Sequence, residues 1–248
     1  MSACLGSRIP AAALCALACA CAARTALNEY PRAVIDRPFT LPDGVASFRA
    51  GLGGGYARDD VHMAGWADVP IEWRLSLSDD WTLHFSPLPL GISHQIVRTE
   101  DQWLGATFGL GLGLGSEGLF VSPNLGFAHR VRLARSVAWT TAAIGHVSRW
   151  TDQSAWGWST TLAGGPLWQV TDAVALQPLV GVSVGRSNLR LRGLPLDPNT
   201  RLTVPLALGA TFTVARQWDV EATLAYDGIG YDDGYRALAG SVGFSHFW

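Results

Sequence analysis

The sequence predicts an all-β chain: an antiparallel up-and-down transmembrane barrel of about 12 strands with its apolar face outward. Three observations carry that prediction. Segment after segment alternates with a period of two, bulky apolar residues on one face and Gly, Ser or Thr on the other. Beyond the N-terminus, no apolar run approaches the roughly 20 residues a spanning helix needs. Tight turns alternate with longer polar connections, the habit of a barrel with short periplasmic turns and larger outer loops.

Composition narrows the partners. The 248 residues carry 18 cationic side chains, all of them arginine, against 20 acidic ones, for a net charge of −2. That balance offers no polybasic surface for nucleic acid. Lipid leaves no backbone polar group unpaired, so a membrane protein without spanning helices must be a closed barrel. The informative excesses are 11 Trp and 28 Gly. Indole suits an interface with one wet and one apolar side, and glycine repeated inside strands suits tight curvature or a crowded interior.

Residues 1–23 read as a signal peptide: Arg8, an alanine-rich apolar run from Ile9, then Ala20-Cys21-Ala22. All four cysteines, Cys4, Cys15, Cys19 and Cys21, lie there. Cleavage after Ala22 or Ala23 leaves a mature chain without thiols. The alternative is lipoprotein processing at Cys19, preceded by Ala16-Leu17-Ala18. Residues 24–44, with Pro31, Pro38 and Pro42, read as an extended periplasmic leader, and 45–248 as the barrel.

Strands are expected at 45–57, 67–77, 81–86, 90–97, 102–115, 119–133, 137–150, 156–170, 174–185, 201–215, 218–226 and 235–248. In the first, Phe48, Leu52 and Tyr56 oppose Ser47, Arg49 and three glycines. In the second, Val69, Ile71, Trp73, Leu75 and Leu77 oppose Asp68, Glu72, Arg74 and Ser76. Pro87 and Pro89 end the third strand, because proline cannot donate to a ladder. The fifth sets Leu104, Phe108, Leu110, Leu112 and Leu114 against Thr107 and glycines. The tenth is the sharpest, with Leu202, Val204, Leu206, Leu208, Phe212 and Val214 opposing Arg201, Thr203, Thr211 and Thr213. Treating 87–118 as one irregular excursion reduces the count to about 10 strands, but its leucine–glycine alternation is too regular for a loop. A soluble β-sandwich also alternates, yet it sets charge and polar bulk on its wet face. Here the second face is slim, which suits a narrow lumen.

The last strand, with Leu238, Val242, Phe244 and Trp248 on one face, resembles the C-terminal strand of bacterial outer-membrane β-barrels. That resemblance implies an outer-membrane location and recognition of Phe244 and Trp248 by the barrel-assembly machinery. The stretch Arg37-Pro38-Phe39-Thr40-Leu41-Pro42-Asp43-Gly44 is similar to the approach to the first strand in porin-like proteins. His146-Val147-Ser148 resembles the His-x-Ser element of outer-membrane phospholipase A and the lipid A deacylase. The resemblance implies His146 as base, Ser148 as nucleophile and both facing lipid. Arg149 follows where those enzymes carry Asn, and both residues share a face with Thr140 and Ala142, so they read as lumen polars.

The inner face gathers Arg49, Arg74, Arg130, Arg132 and Arg201 with Asp68, Glu72, Asp219, Glu221 and Asp227. Such a set either selects solutes at a constriction or pairs with itself to fill the interior. The tryptophans cluster near strand ends and are expected as an outward girdle. No histidine has the spacing of a metal site, and no cofactor is expected. The sequence therefore implies an outer-membrane barrel, not an enzyme, that passes a small solute or serves a structural role. A lipid hydrolase and a soluble periplasmic lipid-binding β-fold are the alternatives. Outer-membrane lipid is the expected surrounding.

Overall fold

The structure is a computed structural model that describes residues 27–28, 30–58, 63–85, 90–115, 118–150, 156–187, 190–191, 194–195, 201–229 and 236–248. The signal peptide and the cysteines expected within residues 1–23 lie outside the described residues. Among the described residues, no helix is long and apolar enough to cross a membrane.

Twelve strand positions make the wall: β1 (Ala46–Arg58), β2 (Met63–Asp68, then Ile71–Ser78), β3 (Trp81–Phe85), β4 (Leu90–Arg98), β5 (Gln102–Gly115), β6 (Gly118–Ala134), β7 (Val137–Trp150), β8 (Trp156–Thr171), β9 (Val174–Ser187), β10 (Arg201–Ala215), β11 (Trp218–Ile229) and β12 (Arg236–Phe247). Each pairs antiparallel with its sequence neighbour, and β12 returns to β1 from Ser47↔Phe247 to Arg58↔Arg236. The ladder is closed, which is the arrangement that leaves no sheet edge. The two parts of β2 hold one register on β1, with Asp68 opposite Gly53 and Ile71 opposite Ala50. They are one strand interrupted at Pro70, which has no N–H to give. A two-residue pairing, Arg190–Leu191 with Leu194–Pro195, lies in the connection between β9 and β10.

The faces sort as the alternation requires. Leu52 is 70 % exposed, Leu162 54 % and Val242 58 %, all on the outside. Ser47, Thr82, Thr213 and Ser245 are buried on the inside. A leucine-bearing surface turned outward is the inverse of a soluble core and fits an acyl-chain environment. The exposed rings of Trp81, Trp139, Trp168 and Trp218 lie near the periplasmic turns, and Trp156 stands at the opposite end of β8. Trp103 departs from the expected girdle: it is buried on the inner face, where the guanidinium carbons of Arg130 and Arg132 lie 5.9 and 5.6 Å from its ring centroid.

The true core sits at the periplasmic end. Leu27, Tyr30, Leu41, Val45 and Phe247 form one buried apolar cluster, and Ile35, Ala138, Leu167 and Ala175 form a second. Both are made by the segment before β1 folding into the barrel. A short 3-10 turn, Val34–Asp36, lies against β8 and β9. The segment then leaves through Gly44, whose φ of 74° suits glycine, and Val45 N donates to Pro42 O at 3.0 Å.

Candidate functional site

Five hairpins face the periplasm, and each carries a register shift beside its turn: at Ser76/Ser78, Gln95/Val97, Arg132/Ala134, Val174/Ala175 and Thr213/Ala215. A bulge re-aims side chains and leaves backbone groups out of the ladder. The inner-face residue beside the bulge supplies the missing bond. Ser76 Oγ donates to Ser78 O at 3.1 Å, Gln95 Nε2 to Val97 O at 2.6 Å, and Gln169 Nε2 to Thr171 O at 2.7 Å.

These residues also hold the leader. Gln95 Oε1 accepts from Phe39 N at 2.8 Å, and Gln169 Oε1 from Ile35 N at 3.1 Å. Leu41 N donates to Thr82 Oγ1 at 2.8 Å, and Thr40 Oγ1 donates to Asp79 O at 2.7 Å. Arg130 Nη1 reaches three leader carbonyls, those of Val34 at 3.0 Å, Ile35 at 3.4 Å and Arg37 at 3.0 Å. Its guanidinium also stacks 5.1 Å from the Phe39 ring centroid. Phe39 fits because Gly105 faces it; a Cβ there would stand 3.2 Å from the ring. Arg37 pairs with Asp219, both buried, and donates to Thr213 Oγ1 at 2.9 Å. Arg132 pairs with Asp36, and Arg216 donates to Asn28 O. Tyr30 packs on Phe247 with ring centroids 5.3 Å apart. Burial pushes its phenol above the usual tyrosine range.

The inner-face charges therefore have different places. Arg130, Arg132 and Asp219 bind the leader. Arg49 pairs with Glu221. Arg74 donates to Glu72 Oε2 from Nε at 3.1 Å and from Nη2 at 3.0 Å. Asp68 lies across from Gly53, and Asp227 stands higher on β11 opposite Ala237. The Arg201 side chain lies outside the described residues. Phe244 turns outward, and the Trp248 ring meets Trp73 edge-on at 5.9 Å.

His146 and Ser148 do not form a dyad. Both face the lumen. His146 Nδ1 lies 3.2 Å from Ser159 Oγ, and Ser148 Oγ 3.2 Å from Ser122 Oγ. The lipid-facing geometry that the His-x-Ser resemblance implies is not present. A different histidine is the one that touches a serine at short range. His84 Nε2 lies 2.7 Å from Ser93 Oγ, and His84 Nδ1 lies 3.0 Å from Glu72 Oε1. Nothing in the spacing of these three residues marked them beforehand; they meet through the register of β2, β3 and β4. Among the described residues, no group of three His, Cys, Asp or Glu could hold a metal ion.

No family model matches this sequence, and no curated protein matches it. Solved structures do match. An outer-membrane channel from Pseudomonas putida F1 superposes with a TM-score of 0.60 at 13 % identity, covering 82 % of this chain and 95 % of that one. The chain has the fold of an outer-membrane β-barrel. The translocator domain of the autotransporter NalP from Neisseria meningitidis superposes with a TM-score of 0.54 at 11 % identity, covering 95 % of this chain and 97 % of its own. A bacterial polysaccharide outer-membrane secretin gives 0.52 at 10 % identity, covering 82 % and 98 %.

Proposed function

We propose that this barrel resides in the outer membrane after export and passes a small polar solute, with its leader narrowing the periplasmic mouth. One observation carries the reading: a cavity of about 250 Å³ runs between Val34 of the leader and the inner wall at Gln177, Thr211, Glu221 and Thr223. Its lining is about half polar, and it stands beside a leader held across the periplasmic end. Among the described residues above it, Thr107 and His146 are exposed on the inner face. The channel among the structural neighbours favours the same reading. In this proposal Phe244 and Trp248 present the terminal strand to the assembly machinery, and acyl chains cover the outward leucines.

Planar-bilayer recordings test it. The wild-type protein is expected to give small discrete steps. Asp219→Asn and Arg130→Gln, which loosen the leader, are expected to give steps severalfold larger. Folded protein with no conductance in any of the three forms would leave a structural role.

A further inference from the structure

The passage reading makes no use of the short contacts around His84. Four adjacent strands contribute to one chain of hydrogen bonds on the inner face. Thr107 Oγ1 on β5 lies 2.8 Å from Ser93 Oγ on β4. Ser93 Oγ lies 2.7 Å from His84 Nε2 on β3, and His84 Nδ1 lies 3.0 Å from Glu72 Oε1 on β2. The bonds run consistently in one direction. Arg74 donates twice to Glu72 Oε2, which keeps the carboxylate an acceptor. Glu72 Oε1 then accepts a hydrogen bond from Nδ1–H, and the tautomer this selects leaves Nε2 free to accept from Ser93. Thr107 supplies the remaining donor to Ser93.

A serine hydrogen-bonded to the far nitrogen of an imidazole that a carboxylate orients is the arrangement that makes a hydroxyl nucleophilic. Ser93 itself is buried, 6 % exposed, and Thr107 beside it carries the hydrogen-bond chain to the exposed inner face. Beside them the inner-face positions Gly91 and Gly109 carry no side chain, and the Asn124 amide lies over Gly109. The Asn124 amide fills the space that Gly109 leaves and brings a neutral donor to that part of the wall.

We infer that Ser93, His84 and Glu72 form a nucleophilic site that accepts an acyl group from a small carboxylic ester inside the lumen. Ser93 Oγ bonds to the ester carbonyl carbon as its proton passes to His84 Nε2. The bond from that carbon to the alcohol oxygen breaks, and His84 returns the proton to the departing alcohol. Water then attacks the acyl-serine, again losing a proton to His84, and the acid leaves as that proton returns to Ser93. One ester and one water become one acid and one alcohol. Glu72 acts as a positioning residue for the ring.

The inference is independent of conductance, because it reads a covalent mark. The full-length protein, folded in detergent as judged by heat-modifiable gel mobility, is treated with a small fluorophosphonate, and the adduct is mapped by mass spectrometry. The adduct is expected on Ser93 and absent from Ser93→Ala. Its rate is expected to fall by about 10²-fold or more in His84→Gln and less in Glu72→Gln. Glu72→Asp, which keeps the carboxylate, is expected to recover part of the rate lost in Glu72→Gln. The absence of an adduct on Ser93, or an unchanged rate in folded His84→Gln, would each overturn the inference.

Discussion

Single residues hold the floor of this barrel, and Arg130 and Asp219 do most of it. Asp219 and Arg37 are buried against each other, so removing one partner strands the other's charge. Asp219→Ala is expected to weaken docking of the leader by about 3–5 kcal/mol. Hydrogen exchange at the Ile35 and Phe39 amides measures this, since both are held by wall glutamines. Arg130→Lys keeps the charge but loses the guanidinium plane that stacks on Phe39 and aims Nη1 at three carbonyls. It is expected to speed the same exchange by at least about tenfold, or 1.4 kcal/mol.

Tyr30 adds a pH dependence. Its phenol is buried beside Phe247 and titrates above the usual value, desolvation being the main cause. The docked leader therefore favours the protonated ring. That contribution is complete below about pH 10, the ordinary tyrosine value, and is lost as pH climbs beyond it. Proteolysis of the leader should accelerate above that pH in the wild type and not in Tyr30→Phe.

At the scale of elements, the five bulged hairpins explain how a flat ladder holds a folded segment. Gln95 and Gln169 each spend one amide group on the bulge and the other on the leader. Gln169→Leu keeps the volume but leaves Thr171 O and Ile35 N without this partner, at an expected cost of about 1–3 kcal/mol in urea unfolding. The seam between β1 and β12 has an opposite defect. Arg58 and Arg236 stand directly across from each other on the exposed rim, and like charges so placed destabilise a pair. Arg236→Glu is expected to raise stability by about 0.2–1 kcal/mol in the same measurement.

The elements were legible because alternation is a local property. The twelve expected stretches correspond to the twelve wall positions, and the turns at 79–80, 135–136, 172–173 and 216–217 fall where tight connections were expected. β2 runs longer than expected, because pairing to β1 carries through Pro70 and continues to Met63. What alternation cannot express is which inner-face residues meet. Glu72 stands out only as one inner-face charge among ten, His84 and Ser93 are unremarkable on their own strands, and only the register between strands brings the three together. The docking of 27–45 was illegible for a related reason: its partners are single residues scattered from Asp79 to Phe247.

At the scale of the whole molecule, the wall matches a channel, a translocator domain and a secretin while sharing 10–13 % of residues with them. The barrel thus specifies a location, and the interior specifies the rest. Interior substitutions should separate cleanly from wall substitutions. Leu208→Arg, on the outward face, is expected to impair membrane insertion by about 2–4 kcal/mol if it lies near the bilayer midplane. Ser93→Ala is expected to leave folding yield in lipid unchanged.

The leader touches β3, β4, β6, β8, β10, β11 and β12 at once. The first and last of those strands come together around the leader only when the ladder joins its two ends. Complete docking is therefore expected to follow sealing of the cylinder and to report it. A chain halted before sealing should expose residues 27–41 to protease throughout. The moment of protection then dates completion of assembly in a living cell.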